Sequence, residues 1–129
     1  MSKRTVLTTI VSVTALVLLA FGSPAFAKDG DVLVRGTCTG QSTSKLKLSE
    51  ENGRIEVEFE VDQNRNGVRW NVVLTRDGAR VAQLARVTRS PSGSFEARRV
   101  IANPAGTDVV RATARRAGET CSARATFRG

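Results

Sequence analysis

The stretch Arg54-Ile-Glu-Val-Glu-Phe-Glu-Val-Asp62 decides the fold. Ile55, Val57, Phe59 and Val61 alternate without interruption with Arg54, Glu56, Glu58, Glu60 and Asp62. A period of two sends the four apolar side chains to one face of an extended strand and the five charged ones to the other. This is a half-buried strand. No segment downstream of residue 27 shows helical periodicity.

The same alternation extends outward on both sides. Upstream, Lys45-Leu-Lys-Leu48 is a short strand, and Glu50-Glu51-Asn52-Gly53 reads as the turn that joins it to the first. That turn is expected to set Lys45 and Lys47 across from Glu58 and Glu56. Further upstream, Asp31–Cys38 reads as one strand, with Val32, Val34 and Cys38 on a common face. Downstream, Val68–Thr75 is a strand with Val68, Trp70, Val72 and Leu74 inward, and Asp77-Gly78 signals a hairpin. The return strand, Ala79–Thr88, alternates poorly, because Val81, Leu84 and Val87 do not share a parity. A bulge near Gln83 is expected there. Phe95, Ala97, Val100 and Ile101 mark a further strand. In a last hairpin Val110, Ala112 and Ala114 face Cys121, Ala123 and Ala125 across an Ala117-Gly118 turn. Seven to eight short strands at this spacing predict an all-β fold, an antiparallel Ig-like β-sandwich. The antibody pattern itself is not met: Trp70 is far from Cys38, and Cys121 lies on the last strand.

Ahead of this domain the chain opens with a short basic region (Lys3, Arg4), then an uncharged apolar run over 5–21 and a break at Gly22-Ser23-Pro24. Ala25-Phe26-Ala27 follows as a small–x–small cleavage pattern. These are the parts of a secretory signal peptide. The predicted division is a signal peptide over 1–27 and a sandwich domain over 28–129. The first mature residue is Lys28 rather than the Cys that a lipoprotein needs. The expected location is outside the cell. Removing residues 1–27 from 129 leaves 102, one domain with a modest core. Cys38 and Cys121 are the only cysteines, in an oxidising compartment. An intramolecular disulfide is the expected pairing, against an intermolecular bridge or two free thiols. It would stabilise the fold by roughly 4 kcal/mol through loop closure.

The formal net charge of +8 falls to +6 without Lys3 and Arg4. It is unevenly placed. Residues 44–62 carry three basic and six acidic side chains, whereas residues 65–128 carry thirteen arginines against Asp77, Glu96, Asp108 and Glu119. Such asymmetry steers anionic partners. Arg98-Arg99 and Arg115-Arg116 are the densest pairs and the candidate polyanion site. A basic solvated surface in an arginine-rich proteome is the simpler reading. Phe59, Trp70, Phe95 and Phe127 all fall at inward positions, so aromatic platforms of the kind that bind single-stranded nucleic acid are not expected.

Other constellations are weaker. Asp62-Gln63-Asn64-Arg65-Asn66-Gly67 matches the first half of a calcium loop, with Asp62, Asn64 and Asn66 as candidate ligands. The twelfth position is Val73 instead of Glu, and Arg65 puts a positive charge inside the loop, so a plain connecting loop is the stronger reading. Glu56, Glu58 and Glu60 are spaced like glycosidase carboxylates, but on a strand face beside Lys45 and Lys47 they read as solvated charge. The chain has no His, which removes Ser–His and Cys–His catalysis.

The string Cys38, Lys45-Leu-Lys-Leu48, Gly53–Asp62, Asn66-Gly67-Val-Arg-Trp70-Asn-Val-Val-Leu74, Ser92-Gly-Ser-Phe95 and Gly118-Glu-Thr-Cys121 resembles small secreted proteins of actinobacteria. The resemblance covers most of the mature chain. It implies export and a β-sandwich, and no activity. The expected function is a secreted non-catalytic interaction or structural module without a cofactor. One alternative is a polyanion-binding protein using the arginines of 65–116, on a cell-wall polymer or another extracellular polyanion. Another is a secreted inhibitor or toxin-like protein presenting the loop 90–93 or 62–67 to a protein.

Overall fold

The computed structural model describes residues 30–129; the predicted signal peptide, residues 1–27, lies outside them. Among the described residues the chain is all β, with nine strands and no helix. They are β1 (Val32–Arg35), β2 (Thr37–Cys38), β3 (Thr43–Glu51), β4 (Arg54–Asp62), β5 (Arg69–Arg76), β6 (Ala79–Val87), β7 (Ser94–Ala102), β8 (Thr107–Arg116) and β9 (Glu119–Arg128). They form two antiparallel sheets, in the orders β1-β3-β4-β7 and β2-β9-β8-β5-β6. The sheets pack face to face as a β-sandwich. The alternating residues of β4 supply the middle of the core: Ile55, Val57, Phe59 and Val61 are fully buried, against Trp70, Val72 and Leu74 of β5 and Val110, Ala112 and Ala114 of β8.

Three local expectations are corrected. The strand over 31–38 divides at Gly36: β1 pairs with β3 in one sheet and β2 with β9 in the other. At this crossing the chain lies so close to β9 that a Cβ on Gly36 would come within 2.6 Å of Ser122 O. The β3–β4 turn has two residues rather than four, with φ of 48° at Asn52 and 76° at Gly53. Positive φ at both central positions is the type I′ geometry that matches strand twist. Its register sets Lys45 opposite Glu60 and Lys47 opposite Glu58, a shift of two that keeps every side chain on its predicted face. The bulge in the β5–β6 hairpin lies between Leu74 and Thr75, which pair with Ala82 and Arg80, so Val81 is the extra residue rather than Gln83. That insertion explains why Val81 and Leu84 differ in parity, whereas Val87 simply lies on the outer face and is exposed.

Cys38 and Cys121 are joined, 83 residues apart in sequence and 4.0 Å between Cα atoms. They are direct register partners on β2 and β9. The bridge therefore lies within one sheet and fastens its short edge strand, whereas the antibody-type bridge links the two sheets.

Candidate anion-binding face

The two outer faces of the sandwich differ in electrostatic character. On the four-stranded sheet, acidic side chains of β4 meet bases from both neighbours. Lys45 Nζ lies 3.5 Å from Glu60, Lys47 Nζ lies 3.5 Å from Glu58 and 3.6 Å from Asp31, and Arg98 pairs with Glu56. The hydrogen bond from Arg98 holds Glu56 below the usual carboxylate range. Burial, with Glu96 and Glu56 nearby, pushes Glu58 up against the pull of Lys47. The predicted carboxylate ladder is thus a neutralised ion-pair network.

The outer face of the five-stranded sheet has no such balance. Strand parity brings Arg69 of β5, Arg111 and Arg115 of β8, and Arg124 and Arg128 of β9 to this one surface, all exposed. Between them lie Asn71, Thr113, Thr120, Ser122 and Thr126. No acidic side chain from these strands points outward here. Among the described residues, none of the five guanidinium groups forms an ion pair or a hydrogen bond to a protein group.

Arginines of the opposite parity do structural work at the ends and edges of the core. Arg76 donates to Ala102 O at 2.8 Å and lies 3.8 Å from buried Asp108. Arg86 donates to Glu96 O at 3.3 Å, linking edge strands β6 and β7. Arg116 lies 5.5 Å over the Trp70 ring and donates to Glu119 at 3.2 Å. Glu119 also accepts from Ser42 Oγ at 2.7 Å and Ser42 N at 3.1 Å. Burial by itself would raise the Glu119 carboxyl, but the Ser42 bonds and the Arg116 charge outweigh it and hold the group below its ordinary value.

The predicted polyanion pairs are therefore split. Adjacent strand residues point to opposite faces. Arg98 lies in the ion-pair network of the four-stranded sheet, and Arg99 is exposed at inward parity on edge strand β7. Arg115 belongs to the free arginine face, and Arg116 is committed to Trp70 and Glu119. The structure does not bring the four together. The residues that do assemble, Arg69, Arg111, Arg124 and Arg128 with Arg115, carry a sequence signal in their even spacing: 111 and 115, 124 and 128.

The Asp62–Gly67 segment closes on itself. Asp62 Oδ1 accepts from Asn64 N at 3.0 Å, and Gln63 Oε1 accepts from Trp70 Nε1 at 3.0 Å. Asn64 and Gly67 take φ of 57° and 78°. Asp62, Asn64 and Asn66 form a connecting loop stitched to the core, and no group of three or more acidic, Cys or His side chains among the described residues is placed to hold a metal.

No protein-family model matches the chain, and no curated protein or solved structure matches it.

Proposed function

We propose that the protein is a secreted, non-catalytic binding module that holds an extracellular polyanion, such as an anionic cell-wall polymer, on the outer face of its five-stranded sheet. The observation that carries this reading is the gathering of Arg69, Arg111, Arg115, Arg124 and Arg128 on one surface to which strands β5, β8 and β9 contribute no outward carboxylate, Asp77 of the β5–β6 turn being the one acid at its edge. Arginine forks bind phosphate and sulfate groups through paired, charge-assisted hydrogen bonds. The surrounding Thr, Ser and Asn side chains add neutral donors and keep the surface wettable. The described aromatic side chains Phe59, Trp70, Phe95 and Phe127 are all buried. The face is therefore suited to backbone charge rather than to stacked bases. Export is supported by the signal-peptide pattern over 1–27 and agrees with the Cys38–Cys121 bridge and with the lack of a membrane-crossing helix among the described residues.

The test is retention of the mature protein on immobilised heparin and on immobilised polyphosphate as salt is raised. Binding that engages all five arginines should weaken with a log–log salt slope of about −3.5 to −4.5. Replacing Arg69, Arg115 and Arg128 together by Gln should make the slope shallower by about 2, whereas Arg98→Gln on the opposite sheet should leave it unchanged. Flow-through at low salt on both matrices would sink the proposal.

A further inference from the structure

We propose that the notch bounded by Arg35, Arg111 and Arg124 is a discrete subsite for a single tetrahedral oxyanion, a phosphate or sulfate group. The inference rests on the reading of this face as a polyanion surface and singles out one point on it.

Three structural facts meet there. Arg111 and Arg124 are direct register partners on β8 and β9. Directly opposed strand residues have Cβ atoms about 5 Å apart, so two like charges are held side by side. The crossing at Gly36 then brings the chain over from the four-stranded sheet onto β9, with Arg35 on one side of the glycine and Thr37 on the other. A Cβ on Gly36 would clash with Ser122 O at 2.6 Å and approach Ala123 Cβ at 3.1 Å, so only glycine permits this approach. The resulting cavity of about 230 Å³ is lined by Arg35, Arg111 and Arg124 together with the hydroxyls of Thr37 and Ser122, which are themselves register partners. No carboxylate lines it.

The other free arginines lack this convergence. Arg115 is flanked by Asn71 and Thr120, and Arg128 by Thr107. At the notch, three arginines meet Thr37 and Ser122 around one space whose own lining holds no carboxylate. A phosphate or sulfate group supplies the missing charge and accepts from several donors at once. Asp77 lines the neighbouring cavity beside Arg111 and Arg124; its Oδ1 accepts from Val109 N at 2.8 Å, which ties the β5–β6 turn to β8 and leaves one anion against three cations at this edge. Arg35 also borders the cleft that contains Glu60 and Asp62. The fixed part of the subsite is thus the Arg111–Arg124 pair, with Arg35 as its third wall.

The experiment follows arginine side-chain Nε–Hε resonances of the mature protein during titration with inorganic phosphate, against chloride at matched ionic strength, and then with a polyphosphate chain. Saturable shifts at Arg111 and Arg124, with Arg69, Arg115 and Arg128 unmoved by inorganic phosphate, are expected. Arg124→Gln should weaken phosphate binding roughly tenfold, the loss of one charge-assisted contact set, and Arg35→Gln should weaken it less. The wild-type titration decides the matter even where a variant folds poorly. Equal, non-saturating shifts over all five arginines would overturn the subsite while leaving the polyanion face intact. Flow-through on heparin and polyphosphate, with no phosphate-induced shift, would remove both. Saturable phosphate binding at Arg111 and Arg124 without tighter polyphosphate binding would uphold the subsite and identify a free oxyanion, rather than a polymer, as its ligand.

Discussion

Glu119 shows how one buried carboxylate organises an end of the sandwich. It is almost fully buried, yet three donor groups reach it: Ser42 N, Ser42 Oγ and Arg116. The Arg116 plane in turn covers Trp70, and the Trp70 indole donates to Gln63. A charge in this position stabilises only while it is ionised. Because the folded carboxyl is held below its ordinary value, its contribution is present above the unfolded value of about 4.3 and is lost as pH falls through the lower folded value. Glu119→Gln keeps the shape and removes the charge. The variant should be less stable at neutral pH by about 1.5–3 kcal/mol, the worth of hydrogen bonds to a charged group. The wild-type advantage should shrink on acidification below the ordinary carboxylate range. Urea unfolding at neutral and acidic pH reads both effects. Parallel stability–pH curves for the two proteins would show that Glu119 is not held ionised by this network.

At the scale of elements, the β8–β9 hairpin joins stability to binding. Its register sets Arg111 directly against Arg124, and like charges directly opposite are destabilising by roughly 0.2–1 kcal/mol. Arg111→Gln should therefore raise the melting temperature slightly at low salt, with the gain fading as salt screens the repulsion, while weakening retention on polyphosphate. A drop in stability at low salt would mean that Arg111 makes a favourable contact in the free protein. This juxtaposition was legible in the sequence, since pairing Val110 with Ala125 and Ala112 with Ala123 across the Ala117-Gly118 turn places residue 111 opposite 124. The inward and outward residues of β4, the disulfide and the burial of Trp70 were equally legible, because each follows from parity or from counting. Adjacency is the wrong guide to a strand surface, however, and it singles out Arg98-Arg99 and Arg115-Arg116, whose members point apart. The Arg35 wall was not legible. It depends on the chain leaving one sheet for the other at Gly36, and that contact with β9 is separated from it by more than eighty residues of sequence.

Across the whole molecule, the disulfide and the proposed anion site occupy the same edge. β2 is only two residues long, so its pairing with β9 has little hydrogen-bonded ladder to hold it, and the Cys38–Cys121 bridge fastens it. Arg35 and Thr37 lie immediately before Cys38, whereas Arg111 and Arg124 belong to ten-residue strands paired along their length. Losing the bridge should act at two levels. Global stability should fall by about 4 kcal/mol, as expected for opening a closed loop of this length. Below the unfolding transition, the β1–β2 crossing should loosen from β9 before the rest of the sheet does, since local opening begins where contacts are fewest. A Cys38→Ser, Cys121→Ser double variant that is still folded should then retain the Arg69, Arg115 and Arg128 contribution to polyphosphate binding, while phosphate binding at Arg111 and Arg124 weakens as the wall of Arg35 and Thr37 loosens. Hydrogen exchange should show faster exchange at Thr39 N, whose partner is Thr120 O at 2.9 Å, with the central β5–β8 pairing unchanged. If phosphate still saturates Arg111 and Arg124 with wild-type affinity in the variant, those two arginines form the subsite unaided, and the bridge contributes to the stability of the fold alone.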